Sequence, residues 1–184
     1  MATRTILIAA ALAATSFPAI GSVIVVGSSA ARQCYESADS PVAPSARAID
    51  RCNEAIAATA IPFDDVVATY VNRGILKLRS GQIDAAIADF DTAMEMNPNQ
   101  PEAYLNKGAA LIRLNNARDA LPLFTVALER HTNRPAMAHF GRAIANEDLG
   151  NIPAAYSDYR RAAELEPEWA DAQAELARFR VVPR

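Results

Sequence analysis

The sequence predicts an all-α fold, an array of paired helices, because one pattern of residues recurs along the chain. The stretch from Tyr70 to Pro98 reads as two short helices that pack on each other, and it returns, altered, twice more. The second copy follows after 34 residues and the third after a further 35. Self-similarity at a period of this size is typical of a helical repeat array, in which each unit buries its apolar face against a neighbour.

The recurring residues mark both helices of each unit. In the first helix, helix A, an aromatic residue precedes a glycine by four positions, as in Tyr70–Gly74 and Tyr104–Gly108, and the third copy has His139 and Ala143 there. In the second helix, helix B, a small residue, an aromatic residue and an alanine keep a fixed spacing: Ala86, Phe90, Ala93; Ala120, Phe124, Ala127; Ala155, Tyr159, Ala162. We expect the small residue of helix A to leave room where the two helices cross, and the helix B rings to lie against the next repeat.

These residues resemble the tetratricopeptide repeat (TPR) family, and the resemblance covers about residues 66–180. It implies a right-handed superhelical array, a TPR solenoid, with the A helices lining the inner surface. The predicted units are residues 66–99, 100–134 and 135–168 for the three repeats, 32–61 for an irregular leader and an N-terminal capping helix from a degenerate repeat, and 169–184 for a C-terminal capping helix and tail.

Local signals place the helix ends. Ser45 is a predicted cap for a helix over residues 46–59, and Asp64 or Asp65 for the first A helix. Gly81 should end that helix because glycine takes the left-handed conformation without penalty. Asn115 should do the same in the second repeat.

Residues 1–31 combine a basic start, an apolar run and small residues at the end, which is typical of a secretory signal peptide. Cleavage after Ala30 or Ala31 fits the small-residue rule. The run is also long enough for a membrane anchor, which needs about 20 residues, although Pro18 and Gly21 would break such a helix. We therefore expect a periplasmic or secreted protein, or alternatively one anchored in the inner membrane and facing the periplasm.

The predicted location also determines the expected state of the two cysteines. Cys34 and Cys52 lie 18 positions apart, and in an oxidising compartment they are predicted to form a disulfide. The bond would hold the leader over the open end of the array. The alternative is a buried Cys52 with an unpaired Cys34.

Catalytic patterns are missing from the sequence. It contains no Gly-rich phosphate loop and no Gly-x-Ser-x-Gly elbow. The histidines, His131 and His139, have no partner at metal-ligand spacing, and Asp89, Asp91 and Asp158 are expected on solvated helix faces. The net charge of −3 includes no basic block. We expect no enzyme, catalytic residue, metal, cofactor, small-molecule substrate or nucleic acid.

Candidate binding residues lie on the A helices. Asn72 and Asn106 occupy the same position in successive repeats, whereas the third repeat has Gly141. In peptide-binding TPR proteins, the resemblance implies, an asparagine here faces the groove and hydrogen-bonds a peptide backbone; the alternative is a solvent-facing polar residue. The other predicted groove residues are Val71, Ile75, Leu105, Ile112, Phe140 and Ile144, with Arg79 and Arg113 at the rim.

The sequence thus predicts a non-catalytic protein–protein interaction module of the bacterial envelope. Its concave groove would bind a peptide or a partner helix from an unidentified envelope protein. Any membrane contact would come only from an uncleaved N-terminal segment. The alternative is a structural subunit that docks by its convex face or terminal helix, through an exposed residue such as Phe179.

Overall fold

The protein was analysed as a computed structural model that describes residues 5–8, 21–25, 29–58 and 61–182. These residues form nine α-helices: α1 Ser29–Asp39, α2 Ala46–Ala57, α3 Phe63–Arg79, α4 Ile83–Met96, α5 Pro101–Arg113, α6 Ala117–Glu129, α7 Pro135–Asp148, α8 Ile152–Leu165 and α9 Ala170–Ala177. Two short strands, β1 Thr5–Ile8 and β2 Phe179–Val182, pair antiparallel, with Thr5 opposite Val182.

The predicted all-α repeat array is confirmed. Helices α3 and α4, α5 and α6, and α7 and α8 are the A and B helices of three repeats, and each B helix also packs on the following A or terminal helix. The A helices α3, α5 and α7 contact their neighbours directly. They therefore form one layer of the array, and the B helices form the other.

The N-terminal end differs from the prediction of an irregular leader. Helix α1 occupies much of that stretch and packs on both α2 and α3. Its buried residues Ala31, Cys34 and Ala38 follow helical spacing. Helix α1 therefore supplies the degenerate repeat with a first helix in place of the predicted leader. Ser45 caps α2 as predicted, with its hydroxyl accepting from the backbone N–H of Ala48 at 3.2 Å.

The predicted signal or anchor region is described only in parts. Residues 1–4, 9–20 and 26–28, which include Pro18 and most of the apolar run, lie outside the described residues. Cleavage and anchoring stay predictions. No helix in the described ranges has the length and apolarity needed to cross a membrane. At the other end, the terminal helix stops at Ala177, and the tail continues as β2.

The predicted disulfide joins Cys34 of α1 to Cys52 of α2. Their Cα atoms are 4.9 Å apart, and both residues are fully buried. The alternative of an unpaired Cys34 is therefore wrong in this structure. The bond closes the N-terminal helix pair α1 and α2 covalently.

A close approach between helices A and B sets the packing of the first two repeats. A Cβ atom on Gly74 would lie 2.4 Å from Cε1 of Phe90, and one on Gly108 would lie 3.0 Å from Cε1 of Phe124. Glycine leaves the room that was predicted. The rings, however, press on the A helix of their own repeat, a contact that the expectation of packing on the next repeat had missed.

Left-handed residues end four helices in the same way. Gly81, Gly150, Asn115 and His131 have φ values between 56° and 77°. In each case the next residue donates its N–H to the carbonyl five positions before it, as Gln82 does to Lys77 at 2.9 Å. Gly81 and Asn115 confirm the predictions. His131 was not expected, and its turn ends α6 where the sequence has one extra residue.

The prediction that Asp89 and Asp158 lie on solvated faces is wrong, since they are 4% and 6% exposed. Arg73 binds Asp89 through two nitrogens, at 2.9 and 2.7 Å. Each acid joins its B helix to a basic residue 16 positions earlier on its A helix, so these ion pairs hold the two helices together.

Asp158 has the same bidentate contact with Arg142, and His139 Nδ1 lies 2.9 Å from its Oδ1. Burial alone would raise the pKa of the Asp158 carboxyl. The hydrogen bonds from His139 and Arg142 outweigh burial and hold the pKa below its ordinary value.

We expect reduction of the disulfide to lower the free energy of unfolding by roughly 3 kcal/mol, because the unfolded chain regains the entropy of an open loop. Urea unfolding with and without reductant measures the change, and Cys34→Ser plus Cys52→Ser should reproduce it. Two free thiols found by mass spectrometry in a sample folded under oxidising conditions would contradict the bond.

Gly74→Ala should destabilise the protein by about 2 kcal/mol, because the added methyl group meets the Phe90 ring well inside contact distance. Gly108→Ala is the matched control. Its added methyl group lies 3.0 Å from the Phe124 ring, a milder contact, and replacing glycine by alanine improves helix propensity by about 1 kcal/mol, so this variant should lose less stability. The midpoints of urea unfolding of the two variants, each compared with the wild type, measure the two changes in stability. Equal stability of both would show that the close approach at Gly74 relaxes at no cost.

Acid should weaken the protein partly through Asp158. Because its folded-state pKa is lowered, its stabilisation is present above the unfolded value of about 3.9 and is lost as the pH falls towards the folded value. Asp158→Asn should cost about 2 kcal/mol at pH 7 and flatten the decline of stability below about pH 5. Urea unfolding from pH 7 to pH 3 tests this, with the exposed Glu168→Gln as control. A decline as steep as that of the wild type would contradict it.

Candidate functional site

An extended segment, residues 21–25, lies across the A helices and meets both predicted asparagines. Asn72 of α3 contacts a single residue of this segment with both ends of its amide. Its Oδ1 accepts from the backbone N–H of Val23 at 2.9 Å, and its Nδ2 donates to the carbonyl of Val23 at 2.8 Å. The Asn72 side chain is fully buried. A solvent-facing role for this residue does not fit the structure.

Asn106 of α5 contacts the same segment more weakly. Its Nδ2 donates to the carbonyl of Gly21 at 3.4 Å and to the carbonyl of Glu102, one turn earlier, at 2.8 Å. Its Oδ1 is buried and has no hydrogen-bond partner in the described part of the chain. One buried acceptor of the Asn106 amide is thus unsatisfied, which costs free energy.

Close packing surrounds Gly21. A Cβ atom there would lie 3.1 Å from Cδ2 of Leu105 and 3.2 Å from Nδ2 of Asn106. Leu105, a predicted groove residue, is therefore the floor beneath this position. Any residue larger than glycine would require the floor or the segment to shift by a few tenths of an ångström.

The other residues of the segment differ in exposure. The hydroxyl of Ser22 donates to Oδ1 of Asp39 at 2.7 Å, and Ser22 is buried. Ile24 is 69% exposed, whereas Val25 is 5% exposed and belongs to a small apolar cluster that includes Ala31, Ala55 and Ala68. The array therefore contacts every residue of the segment closely except Ile24.

The segment has a defined direction. It passes from Asn106 on α5, at Gly21, to Asn72 on α3, at Val23, and ends among residues of α1, α2 and α3 around Val25. Its amino-to-carboxyl direction is therefore opposite to the order of the repeats. Residues two apart in an extended chain are about 7 Å from each other, which is close to the 8–10 Å between packed helices.

The other predicted groove residues are mostly buried. Val71 and Ile75 are fully buried in the core around Cys34 and Phe90. Phe140 and Ile144 lie in the core around Phe124 and Tyr159. In the predicted set, Ile112 is the apolar residue that stays half-exposed.

The two predicted rim arginines contact backbone carbonyls. Arg79 donates to the carbonyls of Ala38, at 3.1 Å, and Val42, and so caps the carboxyl end of α1. Arg113 donates to the carbonyl of Leu78 at 2.8 Å. Burial lowers the pKa of the Arg113 guanidinium. Both side chains thus join neighbouring elements around the groove.

Sequence reasoning missed two contributors to this site. Glu102 is 5% exposed and accepts from the backbone N–H of Asn133 at 3.0 Å, which fixes the turn of α5 whose carbonyl holds Asn106. The segment containing Gly21 and Val23 was interpreted as part of an export signal. A backbone-mediated contact leaves no mark in the pattern of side chains, so the sequence offered no signal for it.

The surface expected for convex or terminal docking is not exposed at Phe179. This residue is 7% exposed, and its ring centroid lies 5.6 Å from that of Tyr159 and 5.8 Å from that of Tyr156. It fastens the tail to α8. A separate cleft of about 410 Å³ lies between α1, α2 and their connecting loop, and it shares no residue with the asparagine site.

Metal-ligating residues do not gather in the described ranges, where no group of three or more His, Cys, Asp and Glu residues could hold an ion. Nδ1 of His139 lies 2.9 Å from Oδ1 of Asp158.

The family model described as Tetratricopeptide repeat matches residues 77–144. An NMR structure of the first TPR domain of human RPAP3 is 28% identical, with 60% of this chain and 87% of that one covered and a TM-score of 0.56. The first TPR of Spaghetti (RPAP3), bound to the HSP90 peptide SRMEEVD, is 26% identical, with the same coverage and a TM-score of 0.57.

More distant structures share the fold. MamA residues 41 to end from Desulfovibrio magneticus RS-1 is 20% identical, with 71% of each chain covered and a TM-score of 0.59. A comparison with curated protein sequences finds no match. The family match runs from the last residues of α3 into α7 and includes the Gly108–Phe124 contact and the left-handed turns at Gly81, Asn115 and His131. The comparisons thus show a tetratricopeptide repeat match over residues 77–144 and a fold shared with the solved TPR structures.

Proposed function

We propose that this protein is a non-catalytic interaction module of the bacterial envelope, and that its inner groove binds an extended peptide of a partner protein. The carrying observation is the amide of Asn72, which binds both the N–H and the carbonyl of one residue in an extended segment. An amide suits this task because it offers a donor and an acceptor together. A TPR structure similar to this one holds an HSP90 peptide.

The geometry favours an extended peptide over a partner helix. In a helix, the backbone N–H and carbonyl groups bond to one another and are not free to meet a side-chain amide. The groove asparagines at 72 and 106 both donate to backbone carbonyls of a segment that is not helical. Main-chain recognition of this kind gives affinity, and pockets for alternate side chains give selectivity.

Two observations support a location outside the cytoplasm. A buried disulfide between Cys34 and Cys52 is typical of proteins that fold in an oxidising compartment. The first 31 residues carry the pattern of an export signal. We propose that the mature protein acts in the periplasm or is secreted, and an uncleaved anchor remains the alternative.

Crosslinking in the cell that makes the protein tests the groove. A photoreactive residue at the half-exposed Ile112 should capture one dominant envelope protein, and Asn72→Ala plus Asn106→Ala should reduce that adduct at least about tenfold. Ile75 is unsuitable for the probe because it is fully buried. The adduct is identified by mass spectrometry, which also reports whether the N-terminal segment has been removed.

The matched control is Asn99→Ala, an exposed asparagine in the turn between α4 and α5. It should leave the adduct unchanged. An adduct that survives the groove double variant at unchanged melting temperature would reject the groove as the binding site.

A further inference from the structure

Residues 21–25 contact the groove as a bound peptide would. Val23 fills both hydrogen-bonding groups of Asn72, Gly21 fits the tight space over Leu105, and Val25 is buried among three alanines. Helices α1, α3 and α5 contact this segment. Asn72 and Asn106 each lie 49 or more positions along the sequence from the residue of the segment that they bind. The segment is thus held by the folded array and not by its own local structure.

We propose that Gly21–Val25 is an internal ligand, which competes for the groove with an external peptide of the same class. This inference rests on the proposed function and adds two things to it: the chemical class of the ligand, and the regulation of ligand binding by the protein's own N-terminal segment. The ligand class is an extended, uncharged segment with glycine over Leu105, a hydroxyl residue next, and a β-branched apolar residue two positions after the one that Asn72 binds.

The pattern follows from the contacts. Glycine is favoured because a Cβ atom would lie 3.1 Å from Leu105 and 3.2 Å from Asn106, so the segment or these side chains would have to shift by a few tenths of an ångström. The hydroxyl is favoured because Ser22 donates to the Asp39 carboxylate. The β-branched residue suits an extended backbone and fills the apolar site of Val25. The residue at Ile24 is free to vary, since its side chain is 69% exposed.

The internal ligand is an incomplete one. Asn106 meets Gly21 at 3.4 Å, while its buried Oδ1 has no partner in the described ranges. An external peptide with a backbone N–H placed at this atom would satisfy both ends of the Asn106 amide, as Val23 does for Asn72. The unsatisfied acceptor gives such a peptide an advantage over the internal segment at the same concentration.

The covalent connection of residues 21–25 to the rest of the chain offsets that advantage until the predicted signal cleavage takes place. A segment joined to its site through a short linker has an effective concentration on the order of millimolar. The predicted cleavage after Ala30 or Ala31 falls on the carboxyl side of Val25 and would separate the segment from the array. Export would then convert a closed groove into an open one.

The test uses the full, uncleaved chain in purified form. Hydrogen exchange should show the Val23 amide protected about a hundredfold or more, and Asn72→Ala should remove that protection while helical amides stay protected. A labelled peptide that copies residues 19–27 should bind Val23→Pro at least about tenfold more tightly than it binds the wild type. Proline at this position lacks the N–H that Asn72 accepts, so the variant weakens the occupant and leaves the groove intact.

Ile24→Ala is the matched control and should bind the peptide as the wild type does. Adding Asn72→Ala to Val23→Pro should weaken peptide binding at least about tenfold. An unprotected Val23 amide in the wild type, equal peptide affinity for the wild type and Val23→Pro, or no binding to Val23→Pro would each overturn the internal ligand. None of these results bears on the proposed function, which is tested by the crosslinked adduct formed in the cell. The proposed function is rejected only if that adduct persists when Asn72 and Asn106 are replaced by alanine.

Discussion

The whole array depends on how closely helix A can approach helix B. Phe90 has room only because position 74 carries no side chain, and Phe124 depends in the same way on Gly108. In the first repeat, this approach also brings Arg73 of α3 within reach of the buried acid Asp89 of α4. It also fixes the face that each A helix turns inward, because a helix locked on one side presents a defined stripe on the other. The positions of Asn72 and Asn106 follow from that constraint.

Much of this fold could be predicted because some residue types dictate their own conformation. Gly81 ends its helix in the left-handed region, and Asn115 follows because asparagine tolerates the same region. His131 takes that conformation too, and histidine is enriched in it relative to most residues. Its turn was nevertheless not predicted, because the one extra residue between α6 and α7 obscured the correspondence with Gly81 and Asn115. Helix α1 was missed because Pro41 and Pro44 close behind it suggested irregular structure.

The electrostatic and functional parts were harder to predict. The burial of Asp89 depends on Arg73, which lies on another helix and becomes its partner only when the two helices are antiparallel. The asparagine pair was predicted from its spacing and its family resemblance. What those amides bind could not be predicted, because Gly21 and Val23 are recognised through backbone atoms, which every residue possesses. Most of the apolar residues predicted to line the groove, such as Ile75, are instead buried in the core between helices, which every helical repeat array must fill.

Helix α5 has a particular mechanical consequence. One of its faces, with Ala103 and Ala110, belongs to the core shared with the disulfide end, and the other, with Leu105 and Ala109, belongs to the core of the aromatic end. Its Lys107 pairs backward with Asp91 of α4, whereas the A helices on either side pair forward within their own repeats. The two apolar cores therefore meet at α5. A segment held by Asn72 of α3 and Asn106 of α5 spans from one core to this boundary, so occupancy of the groove would link the stability of the two cores.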